Sequence, residues 1–170
     1  MDSFQSTVKM SPHLLAFIVS DYDYTENEFE ANFRVWHDEA KKDQAKLAAD
    51  NLPKIVHFYE DYFGISYPLP KMDMAAIPDP FGAMENWGLI TFGEKYLLFD
   101  EENSGAMQKQ SIITVMAHEI VHQWFGDLVT MKWWTHFWLS EGITSESLFR
   151  PLCQSVLSLH CSVPPSEHIS

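Results

Sequence analysis

The segments "HEIVH" at 118–122 and "WLSEG" at 138–142 place the strongest geometric demand on this chain. Residues four apart share one face of an α-helix. His118 and His122 can therefore turn two imidazole nitrogens toward one point, while Glu119, rotated about a hundred degrees from His118, reaches the open side of that point. A core helix that merely carries two histidines would show the same letters, and H-E-x-x-H arises in roughly three per cent of shuffled chains of this composition. A third ligand decides between the two readings, because a catalytic zinc takes three protein ligands and leaves the fourth position to water. Glu141 supplies it. Eighteen residues separate it from His122, enough for the chain to leave one helix at Gly126, cross a loop and return on a second helix that faces the first. The spacing predicts one Zn2+ per chain held by His118, His122 and Glu141, with Glu119 as the general base.

The remaining composition fits a packed protein around such a site. With 170 residues, 46% hydrophobic and 14% aromatic, the chain is long and apolar enough for one core. A formal net charge of -13 argues against nucleic acid or an anionic membrane as the main partner, since both carry the same sign. Part of that charge lies in "DYDYTENEFE" at 21–30, read as a solvated loop or strand edge. The apolar run around Leu14 to Val19 has no basic cluster before it and no cleavage site after it, so neither a signal peptide nor a membrane span is expected. It reads as a buried strand. Cys153 and Cys161 lack any C-x-x-C partner and leave the compartment open.

Periodicity along the chain predicts an α+β fold. Residues 8–36 read as β structure, with Phe29, Ala31, Phe33 and Val35 on one face. From Asp43 the period turns helical through Leu47, Leu52, Ile55, Tyr59 and Phe63, with Pro53 starting or kinking the segment and Gly64 stopping it. "KMDMAAIPDP" and "NWGLITFGEKYLLFD" return to strand character. A helix is expected over 111–126, capped by Ser111 and stopped by Gly126, and another over 135–149, ended by Pro151. Trp124, Trp133, Trp134 and Trp138 are expected to pack between these last two helices. The other histidines, at 13, 37, 57, 136, 160 and 168, have no ligand-like spacing.

A second motif, "GAMENWG" at 82–88, brings a family into view. Together with "HEIVHQWFGDLVTMKWW" and "WLSEG" it resembles the aminopeptidase N family of gluzincin zinc aminopeptidases, over about Ser6 to Arg150. The resemblance implies a thermolysin-like zinc domain preceded by a β-rich domain. Residues 1–40 would be the end of that β domain, 41–150 the first part of the catalytic domain, and 151–170 a divergent tail that belongs to no core. It also implies that Gly82, Ala83, Met84, Glu85 and Asn86 bind substrate. For Glu85 there is independent physical sense: a carboxylate placed beyond the scissile bond pairs with a free α-ammonium and so tells a chain end from a mid-chain amide. The small residues Gly82 and Ala83 let an extended peptide approach the backbone as an added strand. The expected partners are peptides with a free N-terminus. Resemblance points to a cell-surface or extracellular parent protein.

The chain departs from the family in ways that bear on activity. Relatives stabilise the oxyanion with a tyrosine well downstream of the third ligand, and here no tyrosine follows Tyr96. Thr135, His136 and Ser140 stand where relatives commonly carry Asp or Asn, the loop "PDPFGAMEN" is one residue shorter than usual, and Leu148 replaces a glutamate seven residues beyond the third ligand. The alternative expectation is a truncated, catalytically silent product that binds zinc or peptide, or associates with a full-length relative.

Overall fold

The computed structural model describes residues 6–78 and 82–156. Its strands are β1 (Asp23–Glu26), β2 (Phe33–His37), β3 (Met72–Ile77), β4 (Ala83–Met84) and β5 (Leu89–Gly93). The helices are α1 (Lys46–Phe63), α2 (Ala106–His122) and α3 (Phe137–Val156). The fold class is therefore mixed α and β. One sheet runs in the order β1-β2-β3-β5-β4, with β2, β3 and β5 mutually parallel and the two outer strands antiparallel to their neighbours. Pairing runs across position 40, since Phe33 to Trp36 align with Met72 to Ala75.

The central strand β3 is apolar and buried almost throughout, as a strand with neighbours on both edges and packing on both faces must be. Helix α1 lays Ala48, Ala49, Leu52, Val56 and Tyr59 into the core at helical spacing. Pro53 lies inside α1 rather than starting it. Proline has no N–H for the carbonyl four residues back, and here the Asn27 side chain takes that place, donating to the Ala49 carbonyl at 3.3 Å. Gly64 ends the helix with φ 65, the left-handed conformation that glycine adopts without a Cβ penalty.

Helix α2 begins at Ala106, so Ser111 is an interior residue and not the cap. It ends at His122, ahead of Gly126, whose φ of 133 belongs to the following turn. Ile112, Met116 and Ile120 are fully buried along it, each contributing about 1.5 to 3 kcal/mol of apolar burial. Helix α3 passes through Pro151 to Val156 instead of stopping at the proline. The tail beyond 156 lies outside the described residues, as do Asp79, Pro80 and Phe81 of the loop expected to be short.

Three other expectations are corrected. The run after Leu14 is no buried strand: only Leu14 is buried, and Leu15, Phe17 and Val19 are exposed. Among the described residues no strand pairs with this run, and an unpaired extended segment has no ladder to join. Phe29 and Ala31 precede β2 and do not share its buried face, which belongs to Phe33, Val35 and His37. After Gly93 the chain leaves the sheet in a 3-10 turn (Glu94–Tyr96), and Leu97, Leu98 and Phe99 reach the core without strand pairing. The acidic stretch 21–30 contains β1, an edge strand with a largely exposed pattern.

Candidate active site

The last turn of α2 meets the second turn of α3 at one point. His122 is buried, His118 and Glu141 are half-buried, and their ligand atoms all lie within 4.8 Å of one another. His118 Nε2 stands 3.2 Å from His122 Nε2. Glu141 places one oxygen 3.4 Å from His118 Nε2 and the other 3.3 Å from His122 Nε2. A tetrahedral ion with bonds of about 2.0 to 2.1 Å separates its ligand atoms by about 3.3 Å. The two imidazole nitrogens match that spacing, and Glu141 turns a different oxygen toward each of them.

The His122 ring is fixed from behind. Its Nδ1 lies 3.0 Å from the Phe125 carbonyl, an acceptor only, so Nδ1 carries the proton and Nε2 presents its lone pair to the centre. Ser140 Oγ and Thr144 Oγ1 each stand 3.3 Å from the same nitrogen. The Ser140 hydroxyl also donates to the Phe125 carbonyl at 2.8 Å, tying the start of α3 to the end of α2. Burial, and then the neighbouring His122 ring, hold the His118 imidazole below its usual pKa against the opposing pull of Glu141. That favours the neutral form, which alone can ligate.

Glu119 is buried beside this group, and its Oε2 has no hydrogen-bond partner among the described residues. Burial first, then the negative charges of Glu85 and Glu141, push its pKa up to about 8. A cation held at the His118 and His122 nitrogens would draw that value back down. Glu85 is buried as well, on the turn that follows β4. Its charge acts on both Glu119 and His118, so the two motifs that the sequence separates by some thirty positions share one electrostatic neighbourhood.

The GAMEN segment forms the sheet's outer strand. Ala83 and Met84 pair with Phe92 and Thr91, and among the described residues β4 pairs with β5 alone. Gly82 accepts from the Gly93 N–H at 2.8 Å, and the space its Cβ would take is open. Asn86 is buried, and its Oδ1 accepts from the Thr91 hydroxyl at 3.1 Å, a bond that holds the turn.

Of the four tryptophans expected between the helices, only Trp124 is buried, and it packs against the end of α1 and the segment after it: its ring lies beside Phe63 and Tyr67, and its Nε1 donates to the Ile65 carbonyl at 2.9 Å. Trp133, Trp134 and Trp138 are exposed. They occupy the lead-in and first turn of α3, ahead of the turn that meets α2, and Trp134 has the His13 ring as a neighbour at 4.8 Å. Leu148 is buried in the core, while Glu146 points to the exposed side. Residues that pattern reading missed include Thr144, Gln123 and Asp127. Asp127 is fully enclosed, with neither carboxyl oxygen hydrogen-bonded among the described residues, and burial, then Glu85 and Glu119, push its pKa up to about 9.

Two histidines and a carboxylate converge from two helices, with a buried carboxylate beside them, a donor set that could hold a metal ion as a peptidase site would. The comparisons with known proteins agree on the class, and the chain belongs to peptidase family M1: residues 47–154 match the peptidase family M1 domain. It is 51% identical over 144 residues to the endoplasmic reticulum aminopeptidase 1 of Homo sapiens, covering 83% of this chain and 15% of that protein. It is 49% identical over 146 residues to the aminopeptidase M1 of Arabidopsis thaliana, covering 84% of this chain and 17% of the relative. Against the aminopeptidase N of Haemonchus contortus the identity is 49% over 142 residues, or 82% of this chain and 15% of the other. The chain thus spans about a sixth of the length of the curated relatives it matches. Among the described residues no helix is long and apolar enough to cross a membrane.

Proposed function

We propose that this chain carries the metal-binding part of a zinc-dependent aminopeptidase that removes the N-terminal residue from peptides. The observation that carries the reading is the convergence of His118, His122 and Glu141, one ligand atom from each lying within 4.8 Å of the others. The names of the relatives support the exopeptidase part. The fold reading that goes with it is a thermolysin-like catalytic domain over 41–150, preceded by the end of a β-rich domain.

His118, His122 and Glu141 would hold one zinc ion, which supplies Lewis acidity to a peptide carbonyl and lowers the pKa of water. Glu119, which is buried and follows His118 directly, would take the proton of the attacking water and return it to the leaving amine. The free edge of β4 receives the peptide as an extended strand, with the open space at Gly82 admitting its backbone. Met84 is proposed to line the same path, and Asn86 holds the turn behind it through Thr91. Glu85 pairs with the substrate's α-ammonium at the end of that strand, which limits cleavage to the first residue.

A second reading concerns these 170 residues taken alone, which span about a sixth of the relatives' length: as an isolated polypeptide they bind zinc and peptide with turnover well below that of a complete enzyme.

Metal analysis and a fluorogenic amino-acid amide assay test both readings. The purified chain should retain one zinc, and His118→Ala should lose it, because two remaining protein ligands leave the tetrahedron incomplete. Stoichiometric zinc in the His118→Ala variant would exclude this site. Turnover by the unaltered chain separates the active reading from the silent one.

A further inference from the structure

The turn that carries Glu85 is tied to the metal-binding helix by a single side chain. Gln123 directly follows His122 and is fully buried. Its Nε2 donates to the Glu85 carbonyl at 3.1 Å, and its Oε1 accepts from the Gly88 N–H at 3.1 Å. Between those two groups the backbone folds tightly: the Leu89 N–H donates to the Asn86 carbonyl at 3.0 Å, and Gly88 takes φ +81, a left-handed value that suits glycine. A primary amide offers a donor and an acceptor side by side, as a strand neighbour does. One side chain therefore satisfies both turn groups that face α2, and buried backbone groups of this kind are costly to leave unpaired.

We infer that Gln123 is a positioning residue that sets the distance between the amine-binding carboxylate of Glu85 and the ligands His118 and His122. The inference rests on the aminopeptidase reading above. His122 and Gln123 are consecutive, so the backbone that places a metal ligand also places the clamp. A substrate whose ammonium sits on Glu85 then has its first carbonyl at a fixed offset from the metal centre, and a shift of about an ångström in such an offset is enough to cost binding or rate heavily.

Two substitutions separate the clamp from simple packing. Gln123→Met keeps the unbranched shape and fills the same volume but removes both bonds to the turn, along with the longer one from Nε2 to the Glu119 carbonyl at 3.5 Å. Gln123→Glu keeps an acceptor for the Gly88 N–H and sets an oxygen against the Glu85 carbonyl. The measurement is calorimetric titration of the zinc-loaded protein with alanine hydroxamate, which has a free amine, and with N-acetyl-alanine hydroxamate, which has none.

The unaltered chain should prefer the free-amine probe. Both variants should keep one zinc and their affinity for the acetylated probe, while the preference for the free amine shrinks by about tenfold. An undiminished preference in either folded variant overturns the clamp and leaves the aminopeptidase reading standing. Equal weakening of both probes, or loss of zinc, in both variants overturns it in favour of a purely structural role. Equal binding of the two probes by the unaltered chain overturns the clamp and the amine-anchor reading together.

Discussion

The Nδ1 of His122 lies 3.0 Å from the backbone carbonyl of Phe125, and this contact decides which nitrogen of the ring faces the metal centre. A carbonyl can only accept, so the proton is held at Nδ1 and the lone pair at Nε2. Thr144, fully buried on α3, supports the same nitrogen from the other side. Thr144→Val keeps the shape and deletes the hydroxyl. The expected result is zinc affinity lower by about tenfold, the usual scale for losing a partner of a ligating histidine. Competition against a chromophoric chelator measures it, and unchanged affinity would show that Phe125 and Ser140 orient the ring without Thr144.

On the proposed reading Glu119 is the base and Glu85 the amine anchor, so their substitutions should differ in which substrates suffer. In an enzyme completed to full length, Glu119→Gln keeps shape and metal but removes the base, and free-amine and N-blocked peptides should lose activity alike. Glu85→Ala removes a charge that only a free ammonium uses. Free-amine substrates should lose about 30-fold to several thousand-fold in kcat/KM, the scale of about 2 to 5 kcal/mol for a desolvated charge pair, and blocked ones far less. Equal losses on both substrates for Glu85→Ala would assign that carboxylate a structural role.

The contrast between these two glutamates also shows what the sequence could and could not carry. His118, Glu119 and His122 are legible because helical spacing alone puts them on related faces, and Glu141 because the eighteen residues after His122 suffice for a return helix. Glu85 is singled out only by the family resemblance of GAMEN, for nothing in its local spacing says that its charge reaches Glu119. Gln123 and Thr144 were invisible, since a buried amide or hydroxyl has no periodic signature and its partners, at Glu85, Gly88 and His122, lie 22 to 38 positions away. The tryptophans failed in the opposite direction. Aromatic residues near a helix suggest a core, yet Trp133, Trp134 and Trp138 precede the turn of α3 that meets α2, and no described element covers them. Ser111 misled in the same manner, because Gly105 and not a hydroxyl residue stands at the start of α2.

The proline inside α1 gives a test of fold rather than of chemistry. Asn27 takes up the Ala49 carbonyl that Pro53 leaves without an N–H. Asn27→Ala should destabilise the protein by about 1 kcal/mol, the net worth of one such hydrogen bond. The same substitution made together with Pro53→Ala should cost less, because the restored N–H reaches that carbonyl. A double-mutant cycle read by urea unfolding measures the coupling. Additive effects would mean that Asn27 contributes through something other than the proline's missing bond.

His57 predicts a pH dependence that does not involve the metal centre. Its Nδ1 meets Glu60 at 2.8 Å and its Nε2 meets Glu30 at 2.9 Å, joining α1 to the loop before β2. The hydrogen bond with Glu60, then that with Glu30, raises the His57 pKa above its usual value. For Glu60, burial works against the charged form, but the bonds from His57 and the Tyr67 N–H outweigh it and lower the pKa. A raised histidine adds stability that is complete below its unfolded pKa, about 6.5, and is lost as pH rises through the folded value. A lowered carboxylate adds stability present above its unfolded pKa and lost as pH falls through the folded one. The two windows overlap at about pH 5 to 6. His57→Gln should therefore cost most stability there, and the gap from the unaltered chain should narrow as the buffer is raised above about pH 6.5. The sites are half-exposed, so the gap should also shrink in high salt. Unfolding midpoints measured for both proteins across this range decide it, and a gap that stays constant with pH would show that the His57 bridges hold no net charge.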